Sequence, residues 1–250
     1  MSNCLNVRLR MLADRYETAD FLQSDPSWFM HQVVGRDNQE TMAFLASVLS
    51  YGSRAQFLPK IQQLLDASHG QVYQWVANGD FRRDVPDTHR CYYRLYTYHT
   101  MHLLLCRLQQ MIERHGSMGN YVRSHVSSPD SGGRQAVIAL SQFFRDEQLK
   151  GVVPKPDSTC KRLVMFLRWM VRSGSPVDLG LWADFIDRRS LYIPLDTHVL
   201  AQARELQLIQ GKSQSWSTVE KVTAAMREIF PDDPARGDFA LFGYDVSKGA

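Results

Sequence analysis

Lys161 and Asp196 are the two residues of this 250-residue chain whose types and surroundings could do chemistry together. Lys161 opens the run KRLVMFLRWMVR, and Asp196 lies in the run IPLDTHV. The first run predicts a helix with an amine at its N-terminal end, and the second predicts a turn that delivers a carboxylate to the start of another helix. An unprotonated amine can attack a sugar carbon and form an imine, while a fixed carboxylate stabilises the positive charge that develops on the sugar. The pair could therefore cleave a glycosidic bond.

The predicted helix from Lys161 to Arg172 carries two different faces. One is a continuous apolar face at helical spacing, made of Leu163, Phe166, Leu167, Met170 and Val171. The other is a stripe of Lys161, Met165, Arg168 and Arg172, which holds three cations and no acid. Because like charges on one stripe repel unless an anion or acidic partners lie opposite, two interpretations stand. The stripe is either a solvated face with an ordinary surface lysine, or a phosphate-facing surface with Lys161 in a cleft.

Both predicted helices have candidate N-terminal caps. The run Asp157-Ser158-Thr159 precedes Lys161 and supplies side chains of the kind that cap helices. Asp196 is equally suited to accept from amides one turn into its own helix, which is a structural role that needs no chemistry. A capping carboxylate that borders a cleft could serve both purposes. His198 is interpreted as a packing or backbone-bonding residue, because no acid–histidine–nucleophile spacing surrounds it.

The composition is that of an ordinary soluble globular protein, with 44% hydrophobic and 22% charged residues. No apolar run approaches the roughly 18 residues that span a bilayer, and the N-terminal segment is too charged for a signal peptide, so a cytoplasmic protein is expected. Four scattered cysteines without a C-x-x-C pair argue against a disulfide framework and a metal cluster. Neither metal nor cofactor is expected. The net charge of +3 is compatible with nucleic-acid binding but does not require it.

Helical periodicity dominates the chain, and no segment alternates convincingly as a strand does. The sequence therefore predicts an all-α fold of about ten helices. The predicted helical segments are 38–49, 57–65, 91–112, 136–144, 161–171, 199–208 and 219–229. No linker is long enough to require two independent domains, so residues 1–250 are expected to form a single domain.

At the two segments that carry Lys161 and Asp196, the chain resembles the helix-hairpin-helix superfamily of DNA glycosylases. The spacing of 35 residues between them is similar to that of the archaeal 8-oxoguanine glycosylases, as is the terminal run DFALFG from Asp238. The whole chain also resembles a bacterial family of unknown function with the same lysine-arginine signature. The resemblance implies a helix-hairpin-helix fold with two helical lobes flanking a cleft, both chain termini sharing one lobe.

The resemblance also implies residue roles. Lys161 and Asp196 would be catalytic, and four residues would bind the flipped-out base: Asp238, Phe242, Met165 and Arg168. Three residues would contact DNA: Arg162, Arg172 and His198. The implied function is base-excision repair of duplex DNA, with 8-oxoguanine as the favoured lesion, abasic-site lyase activity through a lysine imine, and a monomer acting at the nucleoid. Trp169 and Trp182 could stack on bases, although tryptophans among apolar neighbours usually belong to the core.

Two departures separate this chain from the enzymes it resembles. The run GVVPKPDSTC at 151–160 replaces the glycine-rich hairpin that grips a backbone phosphate through its amides. Gly52 follows Ser50-Tyr51 where the archaeal enzymes carry a base-contacting glutamine. Two alternatives to the glycosylase therefore remain open, a DNA- or RNA-binding protein that retains the fold without the chemistry, and a helical protein-interaction domain.

Overall fold

The computed structural model describes residues 3–149 and 151–247. Within this part of the chain, twelve α-helices and one pair of short strands form the secondary structure, so the prediction of an all-α protein is confirmed. The α-helices are α1 (Asn3–Tyr16), α2 (Arg36–Leu49), α3 (Arg54–Ala67), α4 (Val72–Ala77), α5 (Phe81–Asp84), α6 (Tyr98–His115), α7 (Met118–Arg123), α8 (Gly132–Phe143), α9 (Lys161–Val171), α10 (Thr197–Glu205), α11 (Trp216–Ile229) and α12 (Gly237–Val246). Short 3-10 helices span Ala19–Leu22, Pro26–His31, Pro129–Ser131, Glu147–Leu149, Arg188–Ser190 and Pro234–Arg236.

The chain divides into two compact units. Unit 1 contains Met1–Gln23, Val126–Ile138 and Pro154–Ala250, and unit 2 contains Ser24–His125 and Ala139–Val153. Lys161, Asp196 and Asp238 all belong to unit 1, so the geometry of the candidate site is a property of one unit.

Helix α9 is the central helix of unit 1. Its residues from Leu163 to Val171 are all buried, on every side of the helix, whereas the apolar residues alone predicted only one buried face. Trp169 is fully buried, and fully buried Trp182 packs edge-on against Phe166 with ring centroids 5.2 Å apart. Both tryptophans therefore belong to the core rather than to a base-stacking surface.

Helix α2 has the corresponding place in unit 2, where ten consecutive residues from Glu40 to Leu49 are buried. The buried Glu40 carboxylate accepts from the Met118 and Gly119 amides at 2.9 and 3.0 Å, so it satisfies the first N–H groups of α7. An isolated buried carboxylate would be costly, and these two amides explain why an acid is tolerated there.

The segment predicted as a helix from Cys91 begins as a β-hairpin. Strand β1 (Cys91–Tyr93) pairs antiparallel with β2 (Tyr96–Thr97), and α6 starts only at Tyr98. The tight turn between the strands holds Arg94 at φ +51°, a left-handed conformation that no helix contains. Strands of three and two residues are too short to leave a visible alternation in the sequence, which is why periodicity missed them.

Candidate functional site

Lys161 and Asp196 face each other at the N-terminal ends of two helices of unit 1. The Asp196 carboxylate is the N-cap of α10, since its Oδ1 accepts from the Val199 amide at 2.9 Å. Its other oxygen, Oδ2, lies 3.7 Å from Lys161 Nζ at the start of α9. About a third of each side chain is exposed, 31% for Lys161 and 34% for Asp196. The carboxylate therefore both caps its helix and faces an amine that solvent reaches.

A tight turn rather than a side-chain cap starts α9. Cys160 is the N-cap residue at φ +48°, and no side chain caps the helix, so the expected capping by Asp157-Ser158-Thr159 is not formed. Instead, the Cys160 amide donates to Ser158 Oγ at 3.3 Å, and that hydroxyl donates to the Lys155 carbonyl at 2.7 Å. These local bonds fix the direction in which the chain enters α9, and hence the position of Lys161.

Asp238, at the start of α12, is held beside the amine–carboxylate pair. Its carboxylate forms an ion pair with Arg168, and 19% of its side chain is exposed. Burial raises the pKa of Asp238, and Arg168 opposes this, while the nearby Asp196 carboxylate raises the pKa further. Asp196 raises this pKa and Lys161 lowers it, so the three charged groups interact electrostatically with one another.

Arg168 is fixed on three sides. Besides Asp238, its guanidinium donates from Nε to Asp178 Oδ1 at 3.2 Å and lies 4.6 Å from the centroid of the Phe239 ring. Only 3% of its side chain is exposed. Arg168 therefore positions Asp238 and has no surface from which to reach a phosphate.

Arg172 does not fit the expectation that it contacts DNA. Its side chain is only 4% exposed, and its guanidinium forms ion pairs with Glu17 at 2.6 Å, with Asp233 at 2.8 Å and with Asp178. Burial lowers the pKa of Arg172, but these carboxylates together outweigh burial and raise the pKa above its ordinary value. The cations of the stripe are thus neutralised from within by acids of unit 1, and only Lys161 at the end of the stripe is accessible.

The other predicted site residues are divided between surface and interior. Met165 is buried, on the same helix as Lys161. Phe242 is partly buried and packs edge-on against Phe21 and Tyr16, with centroids 5.0 and 5.6 Å away. His198 is exposed two residues after Asp196, and Arg162 is partly exposed beside Lys161.

The buried acids that pair with Arg168 and Arg172 could not be found from the sequence. No motif in the sequence marks Glu17 or Asp233 as a partner of the cationic stripe. The stripe of cations is the one sequence signal for these acids. Three cations without an acid on a buried helix require carboxylates opposite them. Periodicity carries no information on which acids, distant in sequence, supply them.

Substitution of Glu17 by glutamine tests this network through its pH dependence. Burial raises the pKa of Glu17, but Arg172 and Arg236 outweigh burial, and the net pKa lies below the ordinary 4.5. A carboxylate with a lowered pKa stabilises the fold above its ordinary pKa, and this contribution is lost as the pH falls through the lowered value. We expect the variant to lose about 1–3 kcal/mol at pH 7 and the difference to shrink below about pH 4. Urea unfolding of the variant and the wild type between pH 3 and 7 measures the difference in their free energies of unfolding. A difference independent of pH would contradict the lowered pKa of Glu17.

Within residues 3–149 and 151–247, no group of three or more histidine, cysteine, aspartate or glutamate side chains is arranged to hold a metal ion. None of the helices in the same ranges combines the length and the apolar character needed to cross a bilayer.

Comparison with known proteins gives one family and no individual relative. The search of curated proteins found no match, and the search of solved structures found none either. A family model described as "Protein of unknown function (DUF2400)" matches residues 25–247, which include Lys161, Asp196 and Asp238. The protein accordingly belongs to the DUF2400 family.

Proposed function

We propose that the protein is a DNA glycosylase of the helix-hairpin-helix type that removes a damaged base from duplex DNA, with 8-oxoguanine as the favoured lesion. The observation that carries the proposal is the accessible amine–carboxylate pair, with Lys161 Nζ 3.7 Å from Asp196 Oδ2. Buried ion pairs elsewhere in unit 1 have a structural role. This one is a third exposed on both sides, so a substrate can reach it. The protein would act as a monomer in the cytoplasm, at the nucleoid.

The reaction proceeds on a nucleotide flipped out of the duplex, which costs a few kcal/mol of lost stacking and pairing. Unprotonated Lys161 Nζ attacks the anomeric carbon, and the bond to the base breaks with its electron pair leaving on the base, which takes up a proton. Asp196 stabilises the positive charge that develops on the sugar. Opening of the sugar ring gives an imine on Lys161, from which β-elimination of the 3′ phosphate cleaves the strand.

The side chains around the amine–carboxylate pair form the proposed binding site for the base. Asp238 is partly exposed next to Lys161 and Asp196, and Arg168 fixes its orientation, so its carboxylate can accept from N–H groups on a base edge. Met165 and Phe242 are the apolar side chains proposed to pack on the ring. Arg162 and His198, both with exposed surface, are the residues proposed to contact DNA.

A DNA- or RNA-binding protein that retained this fold without chemistry is the second candidate function. The placement of Lys161 argues against it, since a phosphate-binding lysine gains nothing from a carboxylate 3.7 Å away. A carboxylate at that distance repels phosphate and cancels the charge that binding would use.

The proposal is tested by presenting a panel of single-lesion duplexes, including 8-oxoguanine and abasic sites, in the presence of borohydride. Hydride addition to the imine carbon converts the transient adduct into a stable amine. We expect a covalent protein–DNA complex with at least one lesion and none with undamaged duplex. Salt-dependent binding of duplex with neither an adduct nor base release on any lesion would overturn the proposal in favour of the binding protein.

A further inference from the structure

A cavity of about 590 Å³ in unit 1 is lined by three arginines, and neither Lys161 nor Asp196 belongs to its lining. Arg134 of α8, Arg189 and Arg227 of α11 contribute the cations, and Asp130 is the one acid in the lining. The hydroxyls of Ser131, Ser190 and Tyr192 complete it. A concave surface of guanidinium and hydroxyl groups suits a phosphate group, because arginine binds phosphate with paired N–H donors.

Arg134 is built into the wall of the cavity. Its guanidinium lies 3.6 Å from the centroid of the Trp216 ring, and its Nη1 donates to the Pro156 carbonyl at 2.9 Å. The Trp216 ring is itself anchored through Nε1 to Glu220 at 2.9 Å and packs against Tyr192. An arginine held over an aromatic ring is preorganised, so it loses little side-chain entropy on binding.

The other two arginines differ in how far their charge is neutralised. Arg189 forms two hydrogen bonds with Asp187, at 2.8 and 2.5 Å, and lies 3.7 Å from Asp130. Arg227 is exposed and donates to the Arg189 carbonyl at 3.2 Å. In the described ranges, neither Arg134 nor Arg227 forms an ion pair with a carboxylate. Two guanidinium charges therefore face the cavity without a carboxylate partner.

Four of the seven residues at 154–160 have no amide free to bind a phosphate. Pro154 and Pro156 have no N–H group. The Ser158 amide donates to the Lys155 carbonyl at 3.1 Å, and the Cys160 amide donates to Ser158 Oγ. Because Arg134 binds the Pro156 carbonyl, the cavity borders this segment.

We infer that the three-arginine cavity binds a phosphate of the DNA backbone, in place of a grip by the amides of residues 154–160. The inference rests on the proposed function, since it takes duplex DNA as the ligand. Free inorganic phosphate shares the chemistry and is distinguished by the experiment.

Affinity for a fluorescein-labelled duplex with a tetrahydrofuran abasic analogue is measured by anisotropy across a range of salt concentrations. Arg227→Gln and Arg134→Gln are compared with Lys221→Gln, which removes an exposed cation from the same helix α11. We expect each arginine variant to bind about 5- to 10-fold more weakly, and the slope of log Kd against log salt to fall by about 0.9 for each lost contact. Arg227→Lys should restore the slope, and Lys221→Gln should leave Kd and slope unchanged.

The outcomes separate the cavity from the proposed function. Wild-type Kd and slope in both arginine variants would overturn the cavity assignment, whether or not the wild-type protein forms an imine. Salt-dependent duplex binding that falls in these variants would support the cavity even if no lesion is excised. Calorimetric titration with inorganic phosphate tests whether free phosphate rather than DNA is the ligand. Phosphate binding that Arg227→Gln abolishes, with duplex affinity unchanged, would assign the cavity to free phosphate and overturn the assignment to DNA.

Discussion

Asparagine in place of Asp196 is expected to slow base release by about 10²–10³-fold while leaving the stability of the protein unchanged. The substitution removes the charge proposed to stabilise the cationic sugar, and the loss of one such preorganised group typically has this magnitude. Asparagine caps helices as well as aspartate does, so the hydrogen bond from the Val199 amide persists. The capping and the proposed catalytic role of Asp196 are thereby separated.

Single-turnover excision of the lesion found by trapping measures the rate, and urea unfolding measures the stability. Asp196→Ala serves as the comparison, because it removes both the charge and the cap and should lose about 1 kcal/mol of stability as well. An Asp196→Asn variant that excises at near wild-type rate would show that the carboxylate has only the capping role.

Substitution of Asp178 by asparagine is expected to destabilise the protein by about 3–5 kcal/mol. The Asp178 side chain is fully buried and accepts from both Arg168 and Arg172. Removal of one member of a buried ion network leaves the remaining charges uncompensated in a region that water does not reach. This strongly destabilises the folded state. A loss of this size is a large fraction of the 5–15 kcal/mol that stabilises a typical protein.

Urea unfolding at pH 7 measures the difference in free energy of unfolding between Asp178→Asn and the wild type, with Asp245→Asn as the control. Asp245 is an exposed acid of α12 in the same unit, and its substitution should change the free energy of unfolding by less than about 0.5 kcal/mol. A loss near 0.5 kcal/mol in Asp178→Asn as well would contradict the view that Asp178 holds the two arginines.

Those parts of the structure that depend on local sequence were predictable. Periodicity predicted that α9 begins at Lys161, and Asp196 caps α10 as its side chain and position indicated. The all-α class follows from the same local signals. The arginines Arg168 and Arg172 were harder, because an arginine at helical spacing faces solvent or a buried acid depending on residues far away in sequence.

The elements that were missed have physical explanations. The hairpin before α6 is too short for alternation to show, and its turn depends on Arg94 in a left-handed conformation that arginine rarely adopts. The start of α9 depends on Cys160 at φ +48°. Three residues of the cap-forming type directly precede Cys160, but none of them caps the helix. The cavity lined by Arg134, Arg189 and Arg227 is assembled from three separate segments, so no motif contains it.

The most direct test of the proposed chemistry is to identify the residue that carries the borohydride-trapped adduct. After trapping on 8-oxoguanine and abasic duplexes, proteolysis and mass spectrometry locate the modified lysine, and Lys161→Ala and Lys155→Ala are assayed in parallel. Lys155 is an exposed lysine six residues earlier and serves as the matched control. The amine–carboxylate geometry predicts the adduct on Lys161, its loss in Lys161→Ala and its persistence in Lys155→Ala. An adduct on another lysine, or undiminished trapping by Lys161→Ala, would contradict it.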